Sequence, residues 1–147
     1  MRRSGRPIRR FLLDTNVFIA AIKDPKKQTV ALKLILRLIG DRSIELVGNR
    51  FLIEEMLRYL TEFRSETAAT LLGALLHRTK VVSVRRGHVR ACQAYFTAKD
   101  PIDVLNAATC LQAGATLISN DKDFNRIRDE GIIRVWTISK AVSELLR

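Results

Sequence analysis

The sequence predicts an α/β fold, a three-layer α/β/α arrangement in which helices cover both faces of a central parallel sheet. Short apolar segments alternate with longer segments whose apolar residues recur at helical spacing. This alternation indicates parallel strands, because a parallel pair needs a crossover connection and that crossover is usually a helix. No internal repeat or Pro-, Gly- or Ser-rich linker divides the 147 residues. We therefore expect a single domain, residues 10–147, after a basic arm, residues 1–9.

The first half of the chain contains two predicted strands and four predicted helices. Gly40 follows an apolar helical pattern and is the expected end of one helix, and Asn49 is the expected N-cap of the next. The strands are expected at 11–14 and 43–48, and the helices at 15–23, 26–40, 49–63 and 65–78.

The second half continues the alternation with three further strands. Asp100 and Pro101 form a helix-opening pair, and Gly114 is the expected end of the same helix. The strands are expected at 80–84, 116–119 and 132–137, and the helices at 87–98, 100–115, 121–127 and 139–147.

The charge balance favours a polyanionic partner. Lysine and arginine number 26 against 15 acidic residues, which gives a formal net charge of +11. Nucleic acid is the first candidate and an anionic membrane surface the second, while solubility alone remains an alternative. No basic amphipathic helix dominates the chain, which argues against the membrane. We expect RNA contacts from the arginines of the basic arm and the residue after it, Arg2, Arg3, Arg6, Arg9 and Arg10.

Other features favour a cytoplasmic protein without a membrane segment. No apolar run reaches membrane-spanning length, and the basic start lacks the apolar core and cleavage site of a secretory signal. The two cysteines, Cys92 and Cys110, show no spacing typical of a zinc site, so we expect two reduced thiols.

Two predicted strands end in acids. Asp14 follows the apolar segment FLL, and Asp121 and Asp123 follow TLISN. Each of these acids has an alternative role as a helix cap, although Thr15 and Asn16 could cap the first helix equally well. Functional groups of parallel α/β sheets collect at the carboxyl ends of the strands. A metal site at this edge is therefore one interpretation of these acids.

Two further carboxylates lie on predicted helices. Asp103 falls in the first turn of its helix, where the helix dipole favours an acid without any function. Glu55 borders an apolar stripe of its helix, whereas Glu54 points further from it, so an edge-of-core metal site would recruit Glu55. A solvated face remains the alternative for both glutamates. The stripe comprises Leu52, Ile53, Met56, Leu57, Leu60 and Phe63.

Several other kinds of site find no support. His77 and His88 have no partner at ligand spacing, and Trp136 lies in an apolar strand that favours packing over base stacking. No Gly-rich phosphate loop or nucleophile elbow is present. A phosphoryl-accepting regulatory domain needs a pair of acids early in the chain, and a haloacid-dehalogenase-type phosphatase needs Asp-x-Asp where this chain has Asp14-Thr15-Asn16.

Three segments resemble the PIN-domain nucleases, including the ribonuclease toxins of bacterial and archaeal toxin–antitoxin pairs. They are FLLDTNVFIAA, EMLRYL from Glu55, and DVLNAATCLQAGATLISNDKDF from Asp103, and the resemblance covers residues 11–136. It implies an acidic centre whose catalytic and metal-binding residues are Asp14, Glu55, Asp103 and Asp121, with Asp123 as an additional metal ligand. It also implies auxiliary roles for Thr15, Asn16 and Ser119, the last standing where the family often has threonine.

Carboxylates held together need a counter-charge, because like charges raise one another's pKa. An oxygen-only ligand set suits Mg²⁺ or Mn²⁺, and such ions activate water and offset charge in phosphodiester hydrolysis. Together with the resemblance, this ligand set predicts a Mg²⁺- or Mn²⁺-dependent endoribonuclease. The choice of RNA over DNA as the substrate rests on the resemblance alone. The resemblance further implies a homodimer and an antitoxin partner. A non-catalytic RNA-binding module and a housekeeping RNA-processing nuclease stay open.

Overall fold

A computed structural model describes residues 8–23, 29–97 and 101–146. Its centre is a five-stranded sheet in which every strand pair is parallel, as the sequence predicts. The strand order is β3-β2-β1-β4-β5, so the first strand of the chain lies in the middle. The strands are β1 Arg9–Leu13, β2 Ile44–Gly48, β3 Thr79–Val81, β4 Thr116–Ile118 and β5 Val135–Trp136.

Eight α-helices and one 3₁₀ turn within the described residues complete a three-layer α/β/α fold. They are α1 Thr15–Ile22, α2 Val30–Gly40, α3 Arg50–Phe63, α4 Glu66–Arg78, α5 Arg86–Gln93, α6 Pro101–Ala113, α7 Asn125–Asp129, α8 Ile138–Leu145 and the 3₁₀ turn Lys122–Phe124. Helix α6 packs on β1, β2 and β4, and α5 packs on α6. Helix α2 contacts α1, α4 and α8, and α1 also contacts α3.

Side-chain caps explain where several helices begin. Asn49 accepts a hydrogen bond from the Leu52 amide at 2.9 Å and so opens α3 as predicted. Thr29, Ser65 and Thr137 do the same for α2, α4 and α8. These side chains satisfy amides that have no partner inside the helix. The predicted cap Asp100 lies outside the described residues, although α6 does begin at Pro101.

Several predicted element ends differ from the observed ends. Strands β3 and β5 are shorter than expected, because pairing stops after Val81 and is confined to Val135 and Trp136 in β5. Helix α5 ends at Gln93, before the predicted end at 98. Helix α2 includes Gly40 and is capped by Asp41, so the glycine does not act as its C-cap. Apolar residues continue past each paired segment, and composition alone does not show where the neighbouring strand ends.

The apolar stripe predicted for α3 is too wide. Leu52 and Met56 are buried, but Leu57 is 44% exposed and Phe63 is 36% exposed. Leu57 lies about 140° around the helix from Leu52 at 100° per residue, beyond the face that meets the core. Phe63 is the last residue of the helix. Its angular position is favourable, but it lies beyond the buried segment.

The arginines next to the basic arm belong to the sheet. Strand β1 begins at Arg9, two residues before its predicted start. The Arg9 guanidinium lies 5.5 Å from the centre of the Trp136 ring, and Arg10 pairs with Glu45 at 2.8 Å. Both residues lie at the amino end of β1, about 10 to 13 Å along the strand from Leu13 at its carboxyl end. Their RNA contacts stay a prediction. Arg2, Arg3 and Arg6 lie outside the described residues.

Within the part of the chain that the structure describes, no helix is long and apolar enough to cross a membrane. Cys92 and Cys110 are both buried free thiols, in agreement with the expected reduced state. Burial raises the pKa of Cys92 to about 11.

Candidate metal centre

Asp14 is held at the carboxyl end of β1 by a partner from the neighbouring strand. Its side chain is only 5% exposed. The Ser119 hydroxyl, which follows β4, donates a hydrogen bond to Oδ2 of Asp14 at 2.7 Å. Asp14 occupies the N-cap position of α1 but makes no side-chain capping hydrogen bond. The capping alternative for Asp14 is therefore wrong: its carboxylate accepts from the Ser119 hydroxyl and from the backbone of Thr15, but makes no hydrogen bond that caps α1.

The surroundings of Asp14 disfavour its charge. Burial raises the pKa of Asp14 from 3.8 to about 6, although the Ser119 hydrogen bond opposes this increase. The carboxylates of Asp121 and Glu55 raise the pKa further by repulsion. A buried acid beside two other acids is stabilised in its charged form by a cation. The surroundings of Asp14 therefore favour a proton or a cation beside its carboxylate.

The segment after β4 places two more acids through local hydrogen bonds. Ser119 accepts a hydrogen bond from the Asp121 amide at 3.0 Å while it donates to Asp14. Asp121 in turn accepts from the Asp123 amide at 2.9 Å and caps the 3₁₀ turn. The capping role considered for Asp121 is thus confirmed. It uses Oδ1 of Asp121, so the carboxylate has a second oxygen for another partner.

Asp121, Asp123 and Asp103 form a compact acidic cluster. One carboxylate oxygen from each residue lies within 4.8 Å of the corresponding oxygen of the other two. Asp103 comes from the first turn of α6, whereas the other two come from the segment after β4. Asp103 thus meets two acids that lie 18 and 20 positions later in the chain.

The structure separates the two glutamates of α3. The Thr15 hydroxyl donates a hydrogen bond to Oε1 of Glu55 at 2.5 Å, which brings Glu55 to the start of α1 beside Asp14. Glu54 is exposed and pairs with Arg50 at 3.4 Å, one turn earlier in the same helix. Of the two, Glu55 is the one that contacts the acidic edge.

A buried amide network near these acids was not foreseen from the sequence. Asn49 donates from Nδ2 to Asn106 and to Thr109, both at 3.0 Å. All three side chains are at most 2% exposed, and the network joins the start of α3 to the middle of α6. Those helices carry Glu55 and Asp103. The one feature of the sequence that could have indicated this network is Asn106, a polar amide three residues after Asp103 and next to two alanines on the same helix.

The remaining predicted residues lie near or away from the cluster. Asn16 is exposed, unlike buried Thr15 on its amino side. His77 is exposed and His88 is half-buried, as expected for surface or boundary residues. Trp136 packs against Phe11 with ring centres 5.3 Å apart, which confirms its predicted packing role.

The donors at this edge fit a hard divalent cation. They are carboxylate oxygens, with neither thiols nor imidazoles among the described residues of the acidic cluster. Such donors suit Mg²⁺ or Mn²⁺ better than zinc or copper. Asp103, Asp121 and Asp123 bring their oxygens close enough together to hold one ion. Asp14 and Glu55 lie outside that group of three, and their metal-binding role stays a prediction.

Comparisons with known proteins agree with this architecture. VapBC2 from Rickettsia felis, solved with a DNA fragment from its promoter, is similar with a TM-score of 0.62 and 16% identity, covering 87% of this chain and 98% of that one. VapBC-1 from nontypeable Haemophilus influenzae is similar with a TM-score of 0.61 and 21% identity, covering 89% and 99%. At these identities the likeness concerns the fold.

No curated protein matches the chain at a significant level. The sequence profile of the PIN domain, in contrast, matches residues 11–130, which is most of the chain. That match, on a parallel sheet with acids at its carboxyl edge, shows that this chain belongs to the PIN domain family.

Proposed function

We propose that this protein is a metal-dependent endoribonuclease that hydrolyses RNA phosphodiester bonds. The observation that carries the proposal is the convergence of Asp103, Asp121 and Asp123 within 4.8 Å, next to a buried Asp14 of raised pKa. Membership of the PIN family and the oxygen-only donor set support a nuclease with a divalent ion. When bound, Mg²⁺ or Mn²⁺ supplies an activated water and offsets charge on the phosphoryl group.

The chain's own residues hold these carboxylates in place. Ser119 orients Asp14 and, through its acceptor oxygen, the backbone of Asp121. Thr15 orients Glu55, and the capping hydrogen bond of Asp121 fixes the turn that carries Asp123. Preorganisation matters because a carboxylate that rotates freely loses side-chain entropy when it binds an ion.

The net charge of +11 supports RNA as the substrate class. A positive surface attracts the phosphate backbone, while the acidic edge provides the site where the backbone is cut. Phosphodiester chemistry by itself does not separate RNA from DNA, and the choice of RNA follows the sequence resemblance to ribonuclease toxins. The proposed binding should weaken as salt concentration rises.

We extend the proposal to a protein partner and to self-association. The sequence resembles toxins of toxin–antitoxin pairs, and the two structural neighbours described above are both VapBC proteins. We therefore propose that this chain pairs with an antitoxin, which blocks the acidic edge until RNA cleavage is required. The resemblance also implies a homodimer. A housekeeping RNA-processing nuclease would have no inhibitory partner, and a neighbouring small open reading frame would favour the toxin.

The decisive experiment is cleavage of an end-labelled single-stranded RNA by the wild type and Asp14→Asn, with Mn²⁺, Mg²⁺ or EDTA. We expect cleavage by the wild type that requires metal and is at least about 100-fold slower in the variant, as for loss of one preorganised group at a charged transition state. RNA binding without cleavage would support the non-catalytic RNA-binding module instead. Cleavage that persists in EDTA would contradict the metal site.

Glu55→Gln and Glu54→Gln form a matched pair on one helix, since each removes one negative charge. Glu55 contacts Thr15, whereas Glu54 is exposed and pairs with Arg50. We expect Glu55→Gln to lower kcat/KM strongly and Glu54→Gln to leave it nearly unchanged. The reverse order would assign the ligand role to Glu54.

A further inference from the structure

A basic cleft lies at the opposite edge of the sheet from the acids. It opens at the amino ends of β2 and β3, has a volume of about 330 Å³, and continues into a second hollow of about 560 Å³ that shares Arg42, His77 and Arg78 with it. The charged or titratable residues that line the two hollows are Arg42, Glu45, His77, Arg78 and Lys80. We call this the Arg42–Lys80 cleft.

Two cations of the cleft have no carboxylate partner among residues 8–23, 29–97 and 101–146. Within the described residues, Arg42 and Lys80 are exposed and make no ion pair. Glu45, the acid among the described residues that line the cleft, is already paired with Arg10 at 2.8 Å. Nearby Asp41 is 3.6 Å from the Arg37 guanidinium. The described part of the chain therefore leaves the cleft with an excess of positive charge.

Arg78 gives the floor of the cleft a fixed shape. Its guanidinium donates to the carbonyl oxygens of Ile39, Asp41 and Ile44 at 2.9–3.0 Å, which ties the end of α2 to the start of β2. Because these donors are already used, Arg78 holds the backbone under Arg42. Arg42 and Lys80 extend from this rigid base as the groups available to a ligand.

The position of the cleft relates it to the basic arm. Ile8, the residue that follows arginines 2, 3 and 6 closely in sequence, is part of the cleft lining. Ile8 therefore lies at the same edge of the sheet as Arg42 and Lys80. Phosphate groups spaced along a polynucleotide suit such a distributed set of cations better than a small anion does.

We propose that the Arg42–Lys80 cleft binds the phosphate backbone of RNA at a distance from the cleavage site. This inference rests on the proposed ribonuclease function. Strand β1 separates the two edges by about 13 Å, so one RNA must pass over the surface of the molecule to occupy both sites. The cleft then contributes binding energy for long substrates and none for short ones.

The test compares Arg42→Ala/Lys80→Ala with Arg134→Ala/Lys140→Ala, which removes the same charge near the far edge strand β5. All four residues are exposed, and thermal unfolding verifies that each variant folds. Binding of a labelled RNA of about 20 nucleotides is measured in EDTA from about 50 to about 200 mM salt. Losing two phosphate contacts should reduce the slope of log affinity against log salt by about 1.4 for a single strand. The ratio of wild-type RNA affinity to variant RNA affinity should then fall about sevenfold from the lowest to the highest salt concentration.

Cleavage provides the second readout. With Mn²⁺, we expect the Arg42→Ala/Lys80→Ala variant to show a higher KM for the same long RNA at unchanged kcat, and wild-type kinetics on a trinucleotide. If both double variants bind RNA equally well while the wild type still cuts RNA, the proposed RNA binding by the cleft is wrong and the proposed nuclease activity stands. If RNA binding depends on the cleft but no metal-dependent cleavage is found, the RNA-binding role of the cleft is supported and the proposed nuclease activity is wrong.

Discussion

The raised pKa of Asp14 makes a prediction that can be tested without any substrate. An acid whose pKa is higher in the folded protein than in the unfolded chain binds more protons when folded. The free energy of unfolding therefore decreases as pH rises from about 3.8, the ordinary value, through about 6, the value in the fold. Asparagine in place of Asp14 carries no charge at any pH, so the variant does not lose this part of its free energy of unfolding as pH rises. The Asp14→Asn variant should gain stability relative to the wild type as pH rises.

The size of the effect follows from the pKa increase. Each pKa unit corresponds to about 1.4 kcal/mol, so the increase from 3.8 to about 6 represents about 3 kcal/mol at neutral pH. The amide oxygen introduced by Asp14→Asn keeps an acceptor for the Ser119 hydroxyl, which preserves the local hydrogen bond. In a domain of this size, 1 kcal/mol changes Tm by about 2–4 °C. Metal-free Asp14→Asn should thus melt about 6–12 °C above the wild type at about pH 7.5.

The assay is thermal and urea unfolding in EDTA at about pH 3.5, 5, 6 and 7.5, which spans the titration of Asp14. Asp129→Asn is the matched control, because it also removes one negative charge, but from an exposed residue paired with Arg128. We expect the Asp14→Asn advantage to be smallest at the lowest pH and to level off above about pH 6, and the control to show no gain. Mn²⁺ at about 100 times its Kd should stabilise the wild type by about 2.7 kcal/mol, and Asp14→Asn much less.

One result would refute this reasoning directly. If the advantage of metal-free Asp14→Asn over the wild type is no larger at neutral pH than at acid pH, the Asp14 carboxylate is not destabilised by burial and by its neighbours. The electrostatic argument for a cation beside Asp14 would then fail, although the Asp103, Asp121 and Asp123 cluster would remain as geometry.

Three further substitutions test the supports of the site. Asn49→Ala removes the cap of α3 and leaves Asn106 without its buried donor, so urea unfolding should show a loss of about 2–4 kcal/mol. Gly114→Ala places a side chain at a φ of 65° with no atom within 4 Å of the new Cβ, so the loss should be only the backbone term of about 1 kcal/mol, with unchanged cleavage. Ser119→Ala removes the hydrogen bond that lowers the pKa of Asp14, so calorimetric Mn²⁺ binding should weaken more at about pH 6 than at about pH 8.

Local signals accounted for the elements and for some of their starts, but not for all of their ends. The cap at Asn49 and the start of α6 at Pro101 are visible in the sequence because each depends on neighbouring residues alone. The end of β3 at Val81 depends on how far β2 extends beside it. Likewise, the exposure of Leu57 depends on which part of α3 meets the core, and a helical pattern does not contain that information.

Alternation of short apolar strands with amphipathic helices determined the parallel α/β fold, because burial on both sheet faces requires that pattern. The chain also determined which carboxylates follow strands, and hence that Asp14 and Asp121 lie at one edge. Only the tertiary structure decided that Glu55 and not Glu54 meets Thr15, and that Ser119 links Asp14 to Asp121. Those choices depend on the rotation of α3 and on contacts between residues up to 105 positions apart, distances over which sequence spacing sets no geometry.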